Sequence, residues 1–279
     1  VNQTLLRWHR QKWENGWMLI GGIVLWMGMT AGAPSSSLAY GRQDDDWTIH
    51  SCRHFNIYYR NAPEEFVETV EESAEDYYDE VTDNLGFHRI HNWIFDRKAS
   101  IYIFDDKSDY IKRSRQYVWS AGTASTRMKT IRTFPAAHGF FDSVLPHELG
   151  HIIFREYVGY RSRIPLWFEE GVAMHQEKAK RWGADKKVKQ AIENGTFIPL
   201  SKLTRMRLTN NTDRSVIRLF YAESASVFNF IMDKIGKHRF ARLCRDFKDG
   251  GSFEQALERV YPRFRSIERL NEMWVKSLD

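Results

Sequence analysis

Two histidines four residues apart, with a glutamate beside the first, constrain this chain more than any other feature: His147-Glu148-Leu149-Gly150-His151. On a helix, residues i and i+4 share a face. The imidazoles of His147 and His151 can therefore reach one ion, with Glu148 beside them to take a proton from a water held there. Chance composition on an amphipathic helix can also produce five such residues, so the weight falls on the residues downstream of them.

An ion that activates water takes three protein ligands and leaves a fourth position open. Two imidazoles are not enough, and a carboxylate from the next helix is the natural third donor. The segment Pro165-Leu166-Trp167-Phe168-Glu169-Glu170-Gly171-Val172-Ala173 offers two, Glu169 and Glu170. Pro165 suits a helix start, where no backbone donor is needed, and Gly171 lets the backbone approach a neighbour closely.

His-Glu-Leu-Gly-His followed by Trp-Phe-Glu-Glu-Gly-Val-Ala resembles the gluzincin metallopeptidases, in particular the compact bacterial peptidase MA-like domains, and more distantly thermolysin and the zinc aminopeptidases. The similarity runs from about His50 to the C-terminus. It implies one Zn²⁺ as cofactor, peptide or protein as substrate, and the glutamate just before the glycine, Glu170, as third ligand, with Glu169 the adjacent competitor. It also implies a cleft between two halves, with an edge strand beside the metal that pairs with extended substrate. Other zinc-peptidase patterns fit less well. A metzincin needs glycine and histidine where Phe154 and Tyr157 stand, and an inverted HxxEH motif is absent. His175, five residues past Glu170, is turned away from it on a helix and reads as a surface or supporting histidine.

A zinc hydrolase also needs a donor for the oxyanion formed when water attacks a carbonyl. In Tyr221-Ala222-Glu223-Ser224-Ala225-Ser226, Tyr221 and Ser224 share a helical face and the small residues permit close packing. The segment is similar to the Tyr-x-x-Ser helix of peptidase MA-like domains, and the resemblance assigns the oxyanion donor to Tyr221. Ser224 reads as packing. Metal-bound histidines usually donate their second ring N–H to a carboxylate. One turn past Glu170 stands Met174, so the candidates are Asp142, Glu177 and Glu223, with none singled out. His50, His54, His88, His91, His138 and His238 show no ligand spacing.

The N-terminus has the layout of an export signal or membrane anchor over 1–39. Arg7, Arg10 and Lys12 precede an apolar run from Trp17 to Met29, and Ser37-Leu38-Ala39 offers a cleavage site. Basic residues ahead of the run direct the remainder outward. The expected location is therefore periplasmic, secreted or anchored to the inner membrane facing outward. The net charge of +5 is mild, and the interleaving of acids and bases excludes a dedicated nucleic-acid surface. Cys52 and Cys244 lack zinc-site spacing. They are either a disulfide or two buried thiols.

Residues 40–279 read as one α+β, zincin-like domain. Strands are expected over His54–Arg60, Ser100–Phe104 and Met128–Phe134, with a helix over Ala62–Leu85 and a turn-like stretch from Gly122. Met128–Phe134, the last strand before the metal helix, is the expected substrate edge. Asp142 or Ser143 is the expected cap of that helix, with Pro146 in its first turn. Beyond it the chain reads as mainly helical: Pro165–Lys178, Asp185–Glu193, Arg214–Ile235, Lys237–Phe247, Phe253–Val260 and Ser266–Ser277, broken at Gly236 and at Gly250-Gly251.

The reading is an exported zinc metallopeptidase in which His147, His151 and Glu170 bind zinc, Glu148 moves the proton and Tyr221 holds the oxyanion. The alternatives are a non-catalytic zinc-containing binding or scaffolding module at the cell envelope, an anchored interaction protein in which the motif is accidental, and a hydrolase of non-peptide amides or esters.

Overall fold

The computed structural model describes residues 47–87, 93, 97–114, 122–135, 137, 139–177, 183–209 and 211–279. The leader, His88, His91 and His138 lie outside them. The first half is a five-stranded sheet in the order β1-β2-β3-β5-β4, built from β1 (Thr48–Ser51), β2 (Phe55–Tyr59), β3 (Ala99–Ile103), β4 (Thr123–Ser125) and β5 (Thr130–Thr133). The central pairs β2–β3 and β3–β5 are parallel, and the two outer pairs are antiparallel. Phe55 and Ile57 on β2, like Ile101 and Ile103 on β3, alternate into the core, as the period of a strand requires. Helix α1 (Glu64–Asn84) covers that face with Val67, Val70, Ala74, Tyr77, Tyr78 and Val81, a helical stripe. The short helix α2 (Lys107–Ser114) follows β3, with the Asp106 carboxylate accepting from the Asp109 N–H at 2.9 Å.

The second half is helical, which makes the whole α+β. Helices α3 (Leu145–Val158), α4 (Leu166–His175), α5 (Ala184–Glu193), α6 (Leu200–Leu203), α7 (Arg214–Lys248), α8 (Phe253–Val260) and α9 (Ile267–Ser277) share one hydrophobic core with the sheet. α7 breaks at Gly236, whose φ of 68° and ψ of 165° are not helical. Phe168 on α4 sits among Phe154, Phe228, Phe240, Phe247 and Phe253, so edge and stacked ring contacts lock α4 against α3, α7 and α8. None of the described helices is long and apolar enough to cross a membrane. Cys52 and Cys244 are separate buried thiols.

Two expectations are overturned. Met128–Phe134 is not the sheet edge: β5 is paired on both sides, by β3 and by β4. The edge strand is β4, in the stretch that reads as a turn, and it is β4 that packs on α3. Nor does Asp142 or Ser143 cap the metal helix. Phe140–Val144 forms a π-helical turn leading straight into α3, and Gly139, at φ 73°, starts it without a side-chain cap. Pro165, expected to open its helix, does so from the N-cap position of α4.

Glu223 on α7 is fully buried. It accepts the Ile198 N–H at 2.9 Å through one oxygen, while the other has no partner. Burial raises its pKa from 4.5 to about 8, against the lowering effect of the Ile198 contact. Between those two values the folded chain keeps a proton that the unfolded chain has released. The folded state thus binds more protons there, and stability must fall as pH rises from 4.5 towards 8. Glu223→Gln keeps the acceptor and removes the titration. Thermal melts should show the variant gaining on the wild type as pH climbs through that window, and a constant difference would refute the assignment.

Candidate metal centre

Helix geometry places His147 and His151 on one face of α3, and helix packing supplies the third donor. α3 and α4 cross closely: a Cβ on Gly150 would stand 3.0 Å from Ala173 Cα. α4 and α7 cross as tightly at Gly171, where a Cβ would stand 2.5 Å from Phe228 Cβ and 2.8 Å from the Ser224 carbonyl oxygen. Gly171 sets α4 against α7 at a depth no other residue allows, and Gly150 brings α3 and α4 closer than an ordinary Cβ contact. The expected role of Gly171 in close approach is thus visible in the packing.

At that depth Glu170 turns to the imidazoles. His147 Nε2 and His151 Nε2 lie 3.1 Å apart, and Glu170 Oε2 lies 3.6 and 3.7 Å from them. All three residues are buried, and among the described residues they form the single group of three or more such side chains with metal-binding spacing. Glu169 is turned elsewhere: its carboxylate pairs with the Arg155 guanidinium.

The donor set fits a zinc ion. Ligand bonds of about 2.0–2.1 Å in a tetrahedron put ligand atoms about 3.4 Å apart, close to the observed triangle. His147 Nδ1 lies 2.8 Å from Glu177 Oε1; donating its proton there leaves Nε2 a bare lone pair pointed at its neighbours. Glu170 Oε2 is buried and accepts no hydrogen bond. Buried polar atoms are rarely left so, and a cation at the centre of the triangle would satisfy all three. The local field also favours positive charge: burial pulls the His151 pKa down, yet the Glu170 and Glu148 carboxylates more than offset it, and the net shift is upward.

Glu177 is the partner of His147 that spacing does not single out. It is fully buried just past the end of α4, and its other oxygen accepts from Ser143 in the π-helical turn. Ser143 is therefore spent on fixing Glu177 rather than on capping a helix. Of the other two candidates, Asp142 is exposed and Glu223 is directed to Ile198. His175 Nδ1 bonds Asn229 Oδ1 at 2.7 Å and takes no place in the metal group.

Glu148 is buried beside the ligands. Burial pushes its pKa up, the two imidazoles oppose that, and Glu170 and Glu177 add to it. Tyr221 lies within electrostatic reach of the same carboxylates: its hydroxyl is held protonated first by burial, then by Glu170, Glu148 and Glu177. Ser224 bonds the Phe220 carbonyl oxygen at 2.7 Å within its own helix, a packing role. The centre thus joins buried metal-type ligands, a carboxyl group suited to proton exchange and a phenol suited to donation.

A family model for the Peptidase MA superfamily matches residues 92–279. The chain belongs to that superfamily. Membership makes this a peptidase-type hydrolase domain, with peptides or proteins as its substrate class. No curated protein matches the chain. The match starts after β1, β2 and α1, yet these elements carry part of the sheet on which the Peptidase MA helices pack.

Proposed function

We propose that the chain is an exported zinc metallopeptidase of the gluzincin type, with its catalytic domain over 40–279. The observation that carries this reading is the buried triangle of two imidazole nitrogens and one carboxylate oxygen that accepts no hydrogen bond. His147, His151 and Glu170 are the ligands, and Glu177 fixes the ring and tautomer of His147. Zn²⁺ bound there supplies Lewis-acid polarisation of a peptide carbonyl and acidifies water. Glu148 takes the proton from the attacking water and hands it to the leaving amine nitrogen. The Tyr221 hydroxyl donates to the carbonyl oxygen as that oxygen gains charge.

Extended substrate is proposed to add to β4, the strand packed on α3 and an edge of the sheet among the described residues, through backbone hydrogen bonds that demand little of side chains. Export rests on the basic-then-apolar layout of residues 7–29. Elemental analysis and a casein-hydrolysis assay test the reading together. The purified chain should carry stoichiometric zinc, lose hydrolysis on chelation and regain it when Zn²⁺ is added. Hydrolysis indifferent to chelation, or a chain free of stoichiometric metal, overturns it.

A further inference from the structure

At the far end of α3 from the metal group, two exposed large apolar side chains stand on adjoining segments. Met128, 72% exposed, lies in the turn between β4 and β5, and Tyr160, 46% exposed, lies in the loop after α3. The Tyr160 hydroxyl donates to the Thr126 carbonyl oxygen at 2.7 Å, which ties loop to hairpin. Arg127, Arg161 and Arg163 neighbour the pair in the same two segments and are all exposed. Arg127 is close enough to Tyr160 to act on its hydroxyl electrostatically. The nearby acid, Glu156, is already engaged by Trp93 and Lys129.

The loop is tied to its surroundings. Arg155 donates to the Ser162 carbonyl oxygen at 3.0 Å, and the Ser162 hydroxyl donates to the Val158 carbonyl oxygen at 2.6 Å, with the Phe247 carbonyl oxygen at the end of α7 3.0 Å away. The two segments present an apolar side chain, an amphipathic ring and three exposed arginines.

We propose that this face docks the catalytic domain on an anionic bilayer surface, with Met128 and Tyr160 entering the headgroup boundary and the three arginines on lipid phosphates. Cations near such a surface are drawn to it, and long or aromatic side chains with polar ends settle at the boundary. An acidic polypeptide would satisfy the arginines but leave the projecting methionine in water, so the bilayer is the better complement. The upstream sequence agrees: the apolar run ends at Met29, and residues 30–46, fully extended, reach at most about 60 Å, enough to let a domain of this size turn any face to the membrane. Roughly 15–20 Å of helix separates His147 from the loop, so docking leaves the metal group uncovered.

A spin label at position 128 tests this in the full chain. Met128→Cys is labelled, Cys52 and Cys244 being buried. The protein is then mixed with vesicles of phosphatidylcholine alone or of phosphatidylcholine with phosphatidylglycerol. The N-terminal segment, with Arg7, Arg10 and Lys12 ahead of its apolar run, also responds to lipid charge, so the charge reversals at positions 127, 161 and 163, which leave it intact, isolate this face. The label should become shielded from a water-soluble nickel relaxant and open to oxygen in the anionic vesicles only, and added salt should reverse the change. Arg127→Glu with Arg161→Glu and Arg163→Glu should abolish it, a loss of more than about 100-fold in docking, because three attractions are lost and three repulsions gained. A label equally accessible in both vesicles overturns the proposal. So does shielding that survives the three reversals, or shielding produced by polyglutamate and not by lipid.

Discussion

Glu148→Gln should lower peptide hydrolysis by about 10²–10⁴-fold, the span of a lost general base, while zinc content stays at the wild-type level. The two outcomes separate because Glu148 is beside the donor triangle and not in it: the three donor atoms belong to His147, His151 and Glu170. A glutamine fills the same buried space and still offers a carbonyl oxygen to water, but it cannot accept and release a proton. The burial that holds the Glu148 pKa above the ordinary carboxylate range brings it nearer the acidity of the groups it must serve. The measurement is hydrolysis by the zinc-loaded variant, with metal assayed on the same sample. Undiminished turnover rules out this assignment of the proton; turnover lost together with zinc places Glu148 among the ligands instead.

Much of this architecture is legible in the sequence. The helical half is punctuated by residues whose backbone demands are local, Gly236 inside α7 and Gly250, at φ 87°, between α7 and α8 being examples. The alternation of β2 and β3 and the apolar stripe of α1 arise from burying one face. What escapes is whatever depends on a distant partner. Strand β4, Thr123-Ala124-Ser125, is three small residues without alternation, and only its pairing with β5 makes it a strand. That single omission shifts the expected substrate edge from the true edge to an interior strand. Glu177 sits beyond the end of a helix, where no periodicity relates it to His147, and its role emerges only when the π-helical turn brings Ser143 to the same carboxylate. The choice between Glu169 and Glu170 is of the same kind. Adjacent helical residues point about 100° apart, so one of the two must face away from the ion; which one depends on how α4 crosses α3.

That crossing gives the second large expectation, a pair of variants with opposite signatures. Glu170→Ala removes one of three ligands and should weaken zinc binding by more than the roughly 10–100-fold seen for outer-sphere partners, with hydrolysis lost. The metal-free fold should not suffer, because the deleted carboxylate has an oxygen buried without a hydrogen bond and stands near those of Glu148 and Glu177. Its removal relieves charge repulsion. Glu169→Ala should do the reverse. Its partner Arg155 is 11% exposed, and burial already lowers that guanidinium's pKa to about 10. Deleting one member of a buried ion pair costs about 3–5 kcal/mol, somewhat less here because Arg155 keeps its contacts to the Gly159 and Ser162 carbonyl oxygens. Zinc should still bind to whatever fraction is folded. Melting curves with and without metal, read beside zinc titrations, separate the two residues: Glu170→Ala melts like wild-type apoprotein and gains nothing from zinc, and Glu169→Ala melts early but is raised by zinc. An exchange of these signatures would hand the ligand role to Glu169 and require α4 to be rotated from the orientation that Gly150 and Gly171 impose.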